Sequence, residues 1–94
     1  MSINDLFKAL SDENRRRILD ILRDRDLTVG EIADHFEMSM PGISQHLSVL
    51  KNANLVFAEK KGQYVYYSLN ASVFQDVMKW IIQFNKNKGE GKNL

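Results

Sequence analysis

Ser39–Leu69 reads SMPGISQHLSVLKNANLVFAEKKGQYVYYSL, and the order of residue types along it decides the fold. Ile43, Leu47 and Leu50 recur at i, i+4 and i+7, so one stripe of a helix faces a core. Gln45, Ser48 and Asn52 point the opposite way, with Ser44 and Lys51 on one flank. Ser39 stands where it can cap the helix, and Pro41 falls in the first turn, where its missing N–H costs nothing. Asn54 follows the last turn and can take the left-handed conformation that ends a helix. Two β-rich runs come next, Leu55–Lys60 and Gln63–Leu69, separated by Lys61-Gly62. A two-residue link containing Gly signals a hairpin.

Outward from this stretch, the pattern is helical on both sides. Ile3, Leu6, Phe7 and Leu10 have the spacing of a short amphipathic helix, with Ser2 as its cap. Ser11 and Asp12 interrupt it and open a second helix, whose acidic start suits the positive end of the backbone dipole. Ile18, Leu19, Ile21 and Leu22 form its inward face, and Arg23–Asp26 is a polar loop. Thr28-Val-Gly-Glu31 is a capping-box pattern that opens a third helix, with Ile32, Ala33 and Phe36 inward. Downstream, Asn70 is placed to cap a last helix over 71–85, and the polar, Gly-containing residues 86–94 read as a flexible tail. The predicted architecture is α+β and mostly helical. Four helices, a two-stranded β-hairpin wing and a C-terminal helix make a winged helix-turn-helix in one domain, residues 1–85.

A 94-residue chain supports one core, and 44% hydrophobic with 27% charged residues is ordinary for a globular domain. A core this small gains from a partner subunit. There is no cysteine, so disulfides and thiolate metal sites are excluded. The start, Met-Ser-Ile-Asn-Asp, lacks the basic and apolar stretches of a signal peptide. No apolar run reaches membrane-spanning length, so no membrane insertion is expected and the expected location is cytoplasmic. The net charge is only +1, but it is unevenly spread. Residues 1–38 carry a balance of −3, residues 39–69 of +2, and residues 70–94 of +2.

The exposed face of the fourth helix carries Ser, Gln and Asn where a solvated helix usually carries Glu and Lys, and residues 39–54 contain no acid. Uncharged donors and acceptors suit the major groove of DNA, where a carboxylate would meet phosphate repulsion. Gln45 can pair with adenine N6 and N7. Ser39, Gly42, Ser44, Ser48 and Lys51 complete the candidate surface on this helix, and His46 lies nearer the core edge. On the wing, Lys60, Lys61 and Gln63 cluster around Gly62, where lysines can neutralise phosphates or protect an edge strand. The aromatic run Tyr64–Tyr67 fits the inner face of the sheet and its seam with the first helices better than a stacking platform. In Arg15-Arg16-Arg17, Arg16 points away from the core and is a phosphate candidate, while ion pairs with Asp12, Asp20 or Asp24 compete for all three.

In the last helix Val73, Phe74, Val77, Met78, Trp80, Ile81, Ile82 and Phe84 cover an arc of roughly 200°, about twice the stripe that docking on one surface needs. A second copy of the chain is the simplest cover, with Ile3 and Phe7 of the first helix joining the seam. A different protein docking on this helix, or an apolar small ligand lined by Trp80 and Met78, are the alternatives. The first of these would make the chain a protein-interaction module on a winged-helix scaffold. No nucleophilic cysteine, phosphate-cradling loop or acidic cleft suggests an enzyme.

These residues resemble a known family. Leu10-Ser-Asp-Glu-Asn-Arg-Arg-Arg-Ile-Leu19 resembles the LSDPTRRxIL segment of ArsR-type winged-helix repressors. Ser44-Gln-His-Leu47, Leu50-Lys51, Ala53-Asn-Leu-Val56 and Lys61-Gly-Gln-Tyr-Val-Tyr-Tyr67 are similar to its recognition helix and wing, and the likeness spans about residues 3–85. Within the family the chain looks most like the SdpR-like autorepressors. The resemblance implies a homodimer, joined through its first and last helices, that represses transcription from a palindromic double-stranded operator. It implies Ser44, Gln45 and His46 in the major groove and Lys61 and Gly62 at the wing tip. Metal-sensing members carry a Cys-x-Cys-type site in the third helix or His and carboxylate ligands on the last. Here the third helix has no cysteine and the last has Asp76 but no histidine, so neither metal nor cofactor is expected. Glu13 replaces the usual Pro, and Asn54 the usual Gly.

Overall fold

The computed structural model describes the backbone of residues 2–92 and the side chains of residues 2–85. Helix α1 spans Ile3–Leu10, and Ser2 Oγ accepts from Asp5 N at 3.4 Å. Helix α2 spans Glu13–Ile21, capped by Asp12, whose Oδ1 accepts from Arg15 N at 3.1 Å. The capping box is complete at the start of α3, Val29–Ala33. Glu31 N donates to Thr28 Oγ1 at 3.2 Å, and Thr28 N donates to Glu31 Oε1 at 2.9 Å. Helix α4, Met40–Asn52, begins at Ser39, whose Oγ accepts from Gly42 N at 3.3 Å.

The end of α4 follows the left-handed pattern read from Asn54. That residue has φ 61°, its N–H donates to Lys51 O at 2.9 Å, and Leu55 N donates to Leu50 O at 3.0 Å. This pair of bonds satisfies carbonyls the helix leaves open, and it turns Leu55 into the core beside Leu50. Strand β2, Val56–Lys61, therefore leaves α4 in a fixed direction.

The sheet departs from the expected hairpin in two ways. A third strand is present: β1, Leu27–Thr28, pairs antiparallel with β3, Tyr64–Leu69, to give the order β1-β3-β2. Two residues are too few for any alternation to show, and Thr28 is also the cap of α3. The turn is also shifted by one residue. Lys61 pairs with Tyr64, so Gly62-Gln63 form the link and Lys61 belongs to the strand. Gly62 has φ 65° and Gln63 is not at positive φ, the pattern of a II′ hairpin turn.

Pairing puts Leu27, Val56, Tyr67 and Leu69 on one face of the sheet, against the core. Phe57, Tyr64 and Tyr66 lie on the other face. The aromatic run is thus not an inner face as expected. Tyr67 packs on the core, Tyr66 is half-buried, and Tyr64 and Val65 are exposed. The physical reason is the alternation of strand side chains, combined with a wing tip that extends past the core.

Leu6, Ile18, Ile32, Ile43, Leu47, Leu50 and Leu55 are fully buried and join α1–α4 to the sheet. Each such side chain contributes about 1.5–3 kcal/mol by leaving water. Helix α5 spans Ala71–Lys92, past the expected end at Asn85. Of the tail expected at 86–94, the side chains and the last two residues lie outside the described ones. Asn70 precedes α5, and its Nδ2 donates to Asn54 O at 2.9 Å, which ties the start of α5 to the end of α4. Among the described residues of α5 only Val73 is buried, with Phe74 and Val77 packed beside it, so the apolar side chains from Met78 to Phe84 are largely uncovered.

Candidate nucleic-acid interface

Helices α3 and α4 pack through Ile32, Ile43 and Leu47, each fully buried. That anchorage fixes which side of α4 faces outward. Ser44, Gln45, Ser48, Lys51 and Asn52 are exposed, as is Ser39 at the start. Ser39 Oγ accepts from Gly42 N as the cap, which leaves its O–H free to donate outward. The first turn carries no acid, so the positive partial charge of its N–H groups is not neutralised locally.

Gly42 is half-buried, and a Cβ built there would meet Met38 Cγ at 3.0 Å. A side chain at this position would press on Met38, which would have to shift by a few tenths of an ångström to admit it. Met40, 49% exposed, was not singled out from sequence. It stands three residues before Ile43, a spacing that suggests the core. Its exposure beside Pro41 gives the first turn an apolar edge suited to a thymine methyl.

His46 is half-buried, and its Nδ1 lies 3.2 Å from Arg15 Nη1. The arginine cluster overturns the expectation of ion pairs. Arg15 Nε donates to Ala9 O at 2.8 Å and its Nη2 to Lys8 O at 3.1 Å. Arg16 Nη1 donates to Leu10 O at 2.7 Å. Arg17 Nη2 donates to His35 O at 2.7 Å, with its guanidinium 4.5 Å above the Phe36 ring. Lys8 O is shared with Ser11, whose N–H and Oγ donate to it at 3.2 and 2.7 Å, and guanidinium groups at a helix C-terminus also meet the negative end of the dipole. Ion pairs among the described residues are instead Arg23–Asp20 and Lys61–Glu59, both at 3.7 Å and solvent-exposed. The Asp12 carboxyl is held below its usual 3.8, chiefly by the hydrogen bond from Arg15 N–H.

Lys60, Lys61, Gly62 and Gln63 are all exposed at the wing tip. Lys61 Nζ is 3.7 Å from Glu59 Oε1 and 5.8 Å from the Tyr66 ring centroid. Lys60 alternates to the opposite face of β2.

At the other end of the molecule, α1 and α5 share an apolar surface. Ile3, Phe7, Trp80, Ile81, Ile82, Phe84 and Met78 are exposed, while Phe74 and Val77 are half-buried. Ile3, Leu6, Phe7, Val77 and Trp80 line one groove. A cavity of about 370 Å³ lies on the other flank, lined by Leu19, Leu69, Phe74 and Met78. Trp80 and Met78 therefore do not line one pocket, as expected for an apolar ligand site. Two residues apart on a helix is about 200° of rotation, a signal that was legible in the spacing. Among the described residues no three His, Asp or Glu side chains converge as a metal ion requires. Likewise no described helix is long and apolar enough to cross a membrane.

Comparison with known proteins fits this geometry. The profile of the bacterial regulatory protein, arsR family, matches residues 12–57, from the Asp12 cap into β2. The transcriptional repressor SdpR of Bacillus subtilis is 50% identical over 88 residues, which cover 94% of this chain and 97% of SdpR. The chain belongs to the ArsR family of bacterial regulatory proteins. Among solved structures, HlyU from Vibrio cholerae matches with a TM-score of 0.71 at 33% identity, covering 87% of this chain and 89% of HlyU. Mb0332 from Mycobacterium bovis, described as a homodimeric winged helix-turn-helix DNA-binding domain, matches with a TM-score of 0.73 at 26% identity. That match covers 94% of this chain and 82% of the Mb0332 fragment. The winged helix-turn-helix fold follows from these likenesses and from the sheet order above. SdpR is described as a transcriptional repressor and HlyU as a transcriptional activator.

Proposed function

We propose that this chain is a sequence-specific, double-stranded-DNA-binding transcriptional repressor. It acts as a homodimer on a palindromic operator, with its own promoter among the targets. The observation that carries the reading is the outward face of α4, polar and acid-free over residues 39–54, anchored from behind by Ile43, Leu47 and Leu50. Gln45 reads a base, with Ser44, His46 and Ser48 beside it. Lys51, Lys60, Lys61 and Arg16 meet phosphates, and the backbone at Gly42 and Gly62 lies close to the DNA. The exposed apolar side chains of α1 and α5 form the seam between copies, so residues 1–85 serve both binding and dimerisation. Repression is favoured over activation by the likeness to SdpR, since HlyU is described as an activator. Neither metal nor cofactor enters, because the third helix has no cysteine and the last no histidine. The site of action is the cytoplasm, where the DNA is.

The test is selection of bound fragments from the source genome, followed by gel shifts against random duplex of equal length. Sub-micromolar binding to a few fragments containing inverted repeats, one of them upstream of the chain's own gene, is the expected result. Equal binding to every duplex, or none, would refute it. One observation favours a second reading, a protein-interaction module. Met78, Ile81 and Ile82 stay exposed on α5, where a different protein or an anti-repressor can dock. A pure interaction module would shift no duplex.

A further inference from the structure

One guanidinium joins three elements of this fold. Arg15 sits on α2, two of its N–H groups hold the Ala9 and Lys8 carbonyls at the end of α1, and a third faces His46 Nδ1 on α4 at 3.2 Å. Its backbone N–H is bound in turn by the Asp12 carboxylate, which fixes the residue from behind.

A guanidinium keeps its charge at any pH the fold survives, and it has donors only. In the Arg15–His46 contact, therefore, the imidazole must accept. A ring that accepts at Nδ1 is neutral and carries its proton on Nε2. The bond thus selects one of two tautomers. Nε2 lies across the ring from Nδ1, so its N–H points away from Arg15, and His46 as a whole is only half-buried. Gln45, the preceding residue of α4, is exposed, so His46 flanks the base-reading candidate along the helix.

We propose that Arg15 is a positioning residue that locks His46 as the Nε2-protonated tautomer and so makes it a one-way hydrogen-bond donor toward a base-edge acceptor on the DNA. The inference rests on the DNA-binding reading above for the donor's target, but not for the tautomer. Acceptors in the major groove include guanine N7 and O6, adenine N7 and thymine O4, whereas cytosine presents a donor there. A locked donor therefore rejects cytosine at the base it faces. The fork also ties that donor to α1, whose Phe7 packs on Trp80 in the apolar seam. Lysine cannot replace it, because an ammonium offers no planar fork.

The test has two arms. In the first, a long-range 1H–15N correlation spectrum of the free full-length protein, taken where His46 is neutral, reports the tautomer. The Nε2-protonated form is expected, with loss of that selectivity in Arg15→Lys. A ring protonated on Nδ1 in the wild type would overturn the proposal. In the second, binding to a fragment selected from the genome is compared with binding to random duplex of the same length. Arg15→Lys should lower the ratio about threefold to tenfold at unchanged random-duplex affinity, the scale of one hydrogen bond. His46→Asn keeps an acceptor near Arg15 but has no outward donor, whereas His46→Gln keeps a donor near Nε2. The expected ratio is low for Asn and largely retained for Gln, and these two variants carry the arm if Arg15→Lys does not fold. Equal ratios for His46→Asn and wild type would overturn the role in DNA contact. A wild type with no preferred fragment would refute the DNA-binding reading itself, an outcome distinct from an Nδ1-protonated spectrum.

Discussion

Phe7 of α1 and Trp80 of α5 meet with ring centroids 6.1 Å apart and planes inclined at 51°. Phe84 then stands edge-on to the same indole, with centroids at 5.0 Å. The three rings form a small aromatic cluster at the surface, and Trp80 remains 42% exposed within it. A buried aromatic anchor at a subunit seam commonly contributes 2 kcal/mol or more. Trp80→Ala is therefore expected to weaken self-association by about thirtyfold or more, measured by sedimentation equilibrium, with the monomer still folded. An unchanged association constant would place the seam elsewhere.

Gln45 is exposed on a helix whose opposite stripe is fully buried, so its replacement should leave the fold intact. Gln45→Ala is expected to lose about 1–3 kcal/mol of binding to the selected fragment and to relax preference at one position of each half-site. Selection with the variant checks this. An identical preferred sequence would remove Gln45 from the reading set.

Lys61 makes only an exposed ion pair with Glu59 and a distant approach to Tyr66, neither of which anchors it strongly. Lys61→Ala should weaken selected and random duplex alike and flatten the slope of log affinity against log salt by about one unit. Titrations across salt concentrations read this directly, and a slope equal to that of wild type would take the wing tip off the phosphate backbone.

Asp12 provides a pH prediction whose sign can be worked out. Its folded pKa lies below the usual 3.8, mainly because Arg15 N–H bonds the ionised carboxylate. Its contribution is present above that value and is lost as pH falls through the lowered folded pKa. At neutral pH, Asp12→Ala should cost about 0.5–2 kcal/mol as a lost helix cap. Asp12→Asn, an equally good cap, should cost little but remove part of the acid-side loss of stability. Urea unfolding at several pH values tests both, and a gap between Asp12→Ala and wild type that grows on acidification would contradict the assignment.

Much of this arrangement was legible because its signals are local. The Thr28–Glu31 box, the Ser39 cap and the left-handed Asn54 each depend on residues within a few positions of one another, and each is present. The inward stripe of α4 likewise follows from helical periodicity alone. What escaped depends on distant partners. Leu27–Thr28 becomes a strand only because Tyr66 and Tyr67 lie beside it. Arg15 and Arg16 turn to carbonyls because α1 ends next to them, which no spacing of charges shows. The split of the tyrosines depended on knowing where the wing outruns the core. The candidate contact residues of α4 were read from short polar side chains and the absence of acids, and Met40 escaped because its spacing mimics a core position.

The most direct measurement is a hydroxyl-radical footprint of the chain on its strongest genomic fragment. Two protected patches on one face of the duplex, centred about 34 Å apart and related by the dyad of an inverted repeat, are the expected result. A single patch, or protection that does not depend on sequence, would contradict a paired helix-in-groove reader.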